Sequence, residues 1–380
     1  MNRLHGLLTR TLLSFGILLS PLAAAQTGIG DNRILIGQSA ALSGPAAELG
    51  REMQLGAKVY LDALNAQGGV NERKIELISL DDGYEPERAA ENTRKLINEH
   101  KVFALFGYVG TPTSLAALPI FTENQVPFIG AFTGAEALRT PFNRHIFNVR
   151  ASYFDETERI VEQLLTTGVR NIAVFYQNDT YGKAGLEGVE RALKKRNLEL
   201  GVTATVERNS TDVKAAVQTL LKASPDAVIQ ISAYASCAAL IREMRKSGSF
   251  ASFYNVSFVG SRALANELGP DAAGVVISQV VPLPWGGIEP VVRDYQKAMQ
   301  RAGHTDYSFT SLEGYIAARV MVEGLRRAGR NLTRDGLISA LESMNNHDAG
   351  GFAISFSPRN HNGSSYVDLT ILSRNGRFVR

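Results

Sequence analysis

The sequence predicts an α/β protein made of two similar lobes, each a parallel sheet covered by helices. Three observations carry this. Short apolar strands alternate with amphipathic helical stretches almost end to end, the pattern of parallel sheets with crossover helices. The alternation restarts at Asn171, so the two halves share one grammar. Behind an N-terminal leader about 355 residues remain, more than a single core ordinarily organises, and two lobes are the default.

In the first half, residues 33–37 form a strand and Ser43-Gly44-Pro45 a turn. Met53, Ala57, Tyr60 and Leu64 then recur at helical spacing over 50–67. Gly68-Gly69 stops that helix. Residues 75–80 read as the next strand, Asp81-Asp82-Gly83 as its turn, and Pro86 opens a helix over 87–100. Strands at 102–106 and 126–131 complete this half, and 145–150 is a strand-like crossing to the next. The second half places strands at 172–176, 202–207, 227–231 and 256–259, with helices over 182–196, 211–223 and 236–247. Residues 274–282 read as a second crossing. The helices near 290–302, 312–328 and 333–344 then need a sheet to cover, and the first lobe is the economical choice. Residues 366–372 and 377–379, joined through Asn375-Gly376, predict a closing hairpin.

Residues 1–25 read as a cleaved secretory leader: Arg3 and Arg10 precede an apolar run over 11–22, and Ala23-Ala24-Ala25 supplies a small-residue cleavage site. The apolar run is about a dozen residues, short of the roughly 20 that span a bilayer, so stable membrane insertion is not expected. Removing the leader takes the 40 Lys+Arg to 38 against 37 Asp+Glu, and near neutrality argues against a nucleic-acid partner. Cys237 is the single cysteine, so an exported chain relies on its core rather than on an internal disulfide. Its apolar neighbours make it a small buried side chain rather than a nucleophile.

Signatures of catalysis are missing. No Ser stands between glycines two residues away on each side, Gly182-Lys183 is followed by Ala184 rather than a hydroxyl, and the six His are scattered without metal-ligand spacing. Neither an enzyme nor a cofactor or metal is expected. Ligands of open parallel sheets bind at the loops leaving the C-terminal strand ends. The loop Gly107-Tyr108-Val109-Gly110-Thr111-Pro112-Thr113-Ser114 combines backbone freedom, hydroxyls and a helix start, with Thr111 placed as N-cap and Pro112 at the first helical position. Free N–H groups and the positive helix end suit a carboxylate. Phe132 leaves the following strand between small residues, Tyr234 leaves the strand at 227–231, and Tyr153 follows the first crossing. These rings either sandwich a ligand between lobes or pack within one of them.

Several segments together resemble the leucine/isoleucine/valine-binding protein family. They are residues 36–50 from Ile36-Gly37-Gln38 to Glu48-Leu49-Gly50, Gly68-Gly69-Val70, Asp81-Asp82, the loop at 107–114, Asp179-Thr180-Tyr181-Gly182 and Glu313-Gly314-Tyr315. The resemblance implies an exported solute receptor of an ABC importer with the type I periplasmic binding fold: two Rossmann-like lobes joined by a three-segment hinge, closing over a solute. It implies a signal peptide at 1–25, a first lobe of 31–148 plus 281–352, and a second of 149–280 plus 353–380. It also implies a periplasmic location and permease subunits as partners. A ligand sensor on the same fold, reporting to a regulator, is the alternative.

Carried over residue by residue, the family's carboxylate-binding hydroxyl falls on Thr111, the loop holding the ligand head on Ala131 to Gly134 with Thr133 as the hydroxyl, and the second-lobe Tyr over the ligand on Tyr234. Tyr108, Phe132 and Tyr153 would suit a flat ring beside them. One departure changes the ligand question. Where amino-acid receptors of this family place an acid for the ammonium, this chain has Gly260-Ser261-Arg262, a cation. Leu49 likewise stands where some members carry an aromatic. Either Asp82, Asp179 or Glu313 receives an ammonium and Arg262 is a surface residue or latch, or the solute lacks an amine and Arg262 pairs with a second acceptor group. The solute is then a small carboxylate-bearing metabolite: an amino acid, an aromatic acid or a keto acid.

Overall fold

The computed structural model describes residues 27–380, and the expected leader at 1–25 lies outside them. In the first half, β1 (Arg33–Ala40), α1 (Ala47–Asn65), β2 (Lys74–Asp81), α2 (Pro86–Asn98), β3 (Ala104–Phe106), α3 (Thr111–Glu123), β4 (Phe128–Ile129) and β5 (Ile146–Phe147) follow one another. Their strands form a sheet in the order β2-β1-β3-β4-β5, every neighbouring pair parallel. The crossing expected at 145–150 therefore begins as a fifth strand of this sheet.

The second half comprises α4 (Tyr153–Thr166), β6 (Ile172–Gln177), α5 (Thr180–Lys194), β7 (Thr203–Val206), α6 (Lys214–Ala223), β8 (Ala227–Ile231), α7 (Tyr234–Lys246), β9 (Ser252–Asn255), α8 (Ser261–Leu268) and β10 (Val276–Gln279). Then come α9 (Pro290–Arg301), α10 (Phe309–Ala328), α11 (Arg334–Glu342), β11 (His347–Asp348), β12 (Ala353–Ile354), β13 (Asp368–Leu372) and β14 (Phe378–Val379). The second sheet runs β14-β13-β10-β9-β8-β6-β7, parallel from β10 to β7, with the predicted hairpin added antiparallel at its edge.

The strand expected at 256–259 lies earlier, as β9. Its register with β8 ends at Asn255, because the next amides leave the ladder: Ser257 N–H donates to the buried carboxylate of Glu156 at 2.7 Å. Returning to the first lobe, α10 packs along α1. The two backbones touch, since a Cβ on Gly56 would collide with Ser311 O and one on Gly314 with Met53 O. β12 pairs with β11, Phe356 packs edge-on against Phe147 and residue Asn362 bridges Asn148, so the chain stays beside the first sheet beyond residue 352. The C-terminal strand ends of both sheets face one another, and the loops leaving them make the site.

A candidate solute site between the strand ends

The turn from β3 into α3 is built from glycine. Gly107 and Gly110 hold φ of +60° and +103°, and a Cβ on Gly110 would collide with the Tyr84 ring. The helix starts one residue earlier than expected. Gly110, not Thr111, is the N-cap, and it has no side chain with which to cap. Thr111 is thereby released from capping. Its Oγ1 lies 2.6 Å from Thr133 Oγ1, and Thr133 lies 3.2 Å from the Tyr153 hydroxyl. The start of α5 is different: Asp179 caps it, accepting from the amides of Tyr181 and Gly182. Of these two helix starts, one carries its own carboxylate, and the other, beside two buried hydroxyls, has no side-chain cap.

Aromatic rings from both halves close over this point. Phe258 of the second half lies 5.3 Å from Phe132 and 5.9 Å from Tyr84, both of the first, and 4.5 Å from Tyr181. Tyr153 and Tyr181 are 5.4 Å apart. The Tyr181 hydroxyl and Ser114 Oγ are buried with no hydrogen-bond partner among the described residues. Burial and nearby Tyr153 push the Tyr181 hydroxyl well above its ordinary range, and burial raises Tyr153 to about 12 despite Arg150. Both phenols are neutral donors at physiological pH.

Beneath the rings sits a charge cluster that sequence reading missed. Arg150, at 1% exposure, closes the first crossing and reaches both halves. Its Nη2 donates to Glu156 Oε1 at 2.8 Å and to Ser257 Oγ, and its Nη1 to Glu313 Oε1 at 3.4 Å. Burial opposes the guanidinium charge, but Glu313 and Glu156 outweigh it and raise its pKa. Burial also holds the Glu313 carboxyl up at about 7, against the lowering effect of Arg150. The sequence signal was a cation ending an apolar crossing, which has no reason to be buried unless it is paired.

The other expected residues divide. Thr111, Phe132, Thr133 and Tyr153 come together as described. Tyr108 does not join them: it turns into the first sheet's own core, its hydroxyl 3.0 Å from Thr93 and its ring 5.0 Å from Phe128, because successive residues after β3 point to opposite faces. The Ala131 side chain enters that same core, leaving its main chain toward the loop. Tyr234 begins α7, and its hydroxyl meets the main chain of Glu48 across the gap between the halves. Arg262 stands at the rim, 3.2 Å from Asp306 and about a third exposed, rather than in the aromatic pocket. Its long side chain finds a carboxylate on the opposite half. Leu49 packs under Gly260 from across the gap.

The two halves meet through further polar contacts. Arg208 Nη2 is 3.0 Å from Glu85, Asn209 Nδ2 donates to Glu85 at 2.8 Å and to Gly83 O at 3.1 Å, and Gln177 donates to the Tyr84 hydroxyl at 3.2 Å. Cys237 is buried, and burial raises its thiol pKa, as expected of an inert side chain. Among the described residues no group of three or more His, Cys, Asp or Glu could hold a metal, and no helix is long and apolar enough to cross a membrane.

Comparison with known proteins gives this geometry a context. Residues 33–377 match the family model described as periplasmic binding protein. A Leu/Ile/Val-binding protein homolog of Brucella abortus is 26% identical over 350 residues, covering 87% of this chain and 86% of that one. The crystal structure of a possible leucine/isoleucine/valine-binding protein from Rhodopirellula baltica is 36% identical, with TM-score 0.88 over 94% of this chain and 98% of that one. A substrate-binding periplasmic protein from Ralstonia solanacearum is 33% identical, with TM-score 0.87 over 91% and 99%. The fold is that of the type I periplasmic binding proteins, which bind solutes without transforming them. With the match spanning nearly all of the described residues, the chain belongs to the periplasmic binding protein family, among relatives of the leucine/isoleucine/valine-binding type.

Proposed function

We propose that this chain is the periplasmic solute receptor of an ABC importer. In this reading it clasps a small carboxylate-bearing metabolite between its lobes and delivers it to the permease. The observation that carries the reading is the uncapped, buried start of α3 with Thr111 and Thr133 beside it, roofed by rings from the opposite lobe. An anion there meets free amides, two hydroxyls and the positive helix end in a dry setting, where charge-assisted hydrogen bonds are strongest. The names of its relatives favour an amino-acid or similar small acid over a larger cargo. Lobe limits of 27–148 with 281–362, and 149–280 with 363–380, accompany the reading. They follow the pairing of β12 with β11 and the bridge at Asn362.

A thermal-shift screen of amino acids, keto acids and aromatic acids tests it. A true ligand at 100 times its Kd adds about 2.7 kcal/mol to stability. Thr111→Val with Thr133→Val is expected to weaken that ligand by about 10- to 100-fold, the worth of hydrogen bonds to a charged group. A screen in which no carboxylate shifts the melting temperature would remove the reading.

A further inference from the structure

We propose that Arg150 selects the ligand: its Nε–H holds a second acceptor oxygen of the bound acid, so the cleft takes keto or aromatic acids carrying such an oxygen and rejects their α-amino counterparts. This rests on the carboxylate reading at α3 and narrows it. The guanidinium carbon lies 5.2 Å from the centre of the Phe132 ring and 5.9 Å from that of Tyr153. Those rings flank Thr133, whose hydroxyl meets that of Tyr153, so a group held beside Thr133 lies near the guanidinium, whose charge Glu156 and Glu313 balance. A ligand ammonium anchored beside Thr133 brings only donors and leaves the buried Nε–H of Arg150 unpaired, whereas a keto or phenol oxygen there accepts from it.

The donors of Arg150 show where a ligand atom fits. Nη2 is taken by Glu156 and Ser257, and Nη1 by Glu313, whereas the buried Nε has no partner among the described residues. An orphan buried donor favours a ligand that brings an acceptor. The two carboxylates are unequal. Glu156 also accepts from Ser257 N–H and from Ser278 Oγ, so its charge is fully engaged. Glu313 is joined to the cluster by the single 3.4 Å bond to Nη1. The charged groups acting on it are Arg150 and Glu156, and burial already holds its carboxyl at about 7. The bound acid brings a further negative charge close to this cluster, which disfavours the Glu313 anion, so Glu313 takes up a proton as the acid binds. An ammonium would do the reverse, fixing Glu313 as the anion and releasing a proton.

Calorimetry on matched pairs decides between these. The probes are phenylpyruvate against phenylalanine and 4-methyl-2-oxopentanoate against leucine, titrated at pH 7 in two buffers of different ionisation enthalpy. The keto acid is expected to bind about tenfold or more tighter than its amino acid, with net proton uptake. Glu313→Gln, which mimics the protonated acid, is expected to keep keto-acid affinity within about threefold and to abolish the uptake. Arg150→Lys keeps a charge but loses Nε, and if it folds it should narrow the keto-to-amino ratio, whereas Thr111→Val weakens both members alike. Tighter binding of the amino acid with proton release, or a ratio unchanged in folded Arg150→Lys, overturns the role of Arg150 and leaves the carboxylate reading standing. Binding by none of the four overturns this inference, and the acid screen alone then judges the carboxylate reading.

Discussion

At the residue scale, the organising feature is one arginine holding two carboxylates of unequal standing. Removing a single member of a buried ion cluster leaves unpaired charge behind, a loss of about 3 to 5 kcal/mol. Arg150→Met should therefore lower the urea-denaturation free energy by that amount at pH 8, and by less at pH 5, where Glu313 carries its own proton. An equal loss at both pH values would mean that Glu313 is not the residue left stranded. None of this cluster was legible as a cluster, because Arg150 and Glu313 are 163 residues apart and only the fold brings them together. The threonines were legible, since a glycine-hydroxyl-proline loop after a strand states its chemistry locally. Arg262 shows the limit of motif reading. The position along the chain located its backbone beside the cleft, but a long side chain goes to its nearest carboxylate, here Asp306.

At the scale of elements, the strand-and-helix alternation was readable because each strand is apolar and each helix keeps one buried stripe, whereas strand ends were not. β9 stops where Glu156 claims the next amide, a contact with α4 that no local pattern announces. The loops that join the halves follow the same rule. Arg208 and Asn209, just beyond β7, grip Glu85 and Gly83 just beyond β2, and Arg262 of α8 grips Asp306 ahead of α10. These pairs are partly exposed, so each is worth at most a modest fraction of a buried bridge and is weakened by salt. Their effect is on the balance between open and closed lobes, because a ligand's apparent Kd rises as the closed fraction falls. Arg208→Ala is expected to raise Kd about two- to tenfold, chiefly by faster dissociation, with the melting temperature of the ligand-free protein little changed. Stopped-flow release of a bound acid measures this. A pure loss of association rate would place Arg208 in steering rather than in the clasp.

At the scale of the whole molecule, three buried carboxyls point to one pH dependence. Burial raises Glu313 to about 7, Glu52 to about 7 against the lowering bond from Ser308, and Asp82 to about 6 against the lowering bond from Ser39. Each has a folded pKa above its unfolded value, so the folded state binds more protons than the unfolded one between about pH 4 and 7. The stability these groups lend is complete below their unfolded pKa and is lost as pH rises through the folded values. Asp81, lowered to about 2, has the opposite sign, but its stabilisation is already complete above pH 5. Unfolding free energy from urea titrations should therefore fall between pH 5 and 8, Glu313 alone contributing on the order of 3 kcal/mol. Glu313→Gln should remove its share of that slope while leaving the contributions of Glu52 and Asp82 in place. Because Arg150 and Glu313 connect the two halves at the floor of the cleft, the same titration should also couple to closure. A saturating acid that engages Arg150 should carry the stability decline on to higher pH, because it keeps Glu313 protonated in the folded state where the unfolded carboxyl is ionised. A slope that ligand leaves unchanged would separate the charge cluster from the binding site.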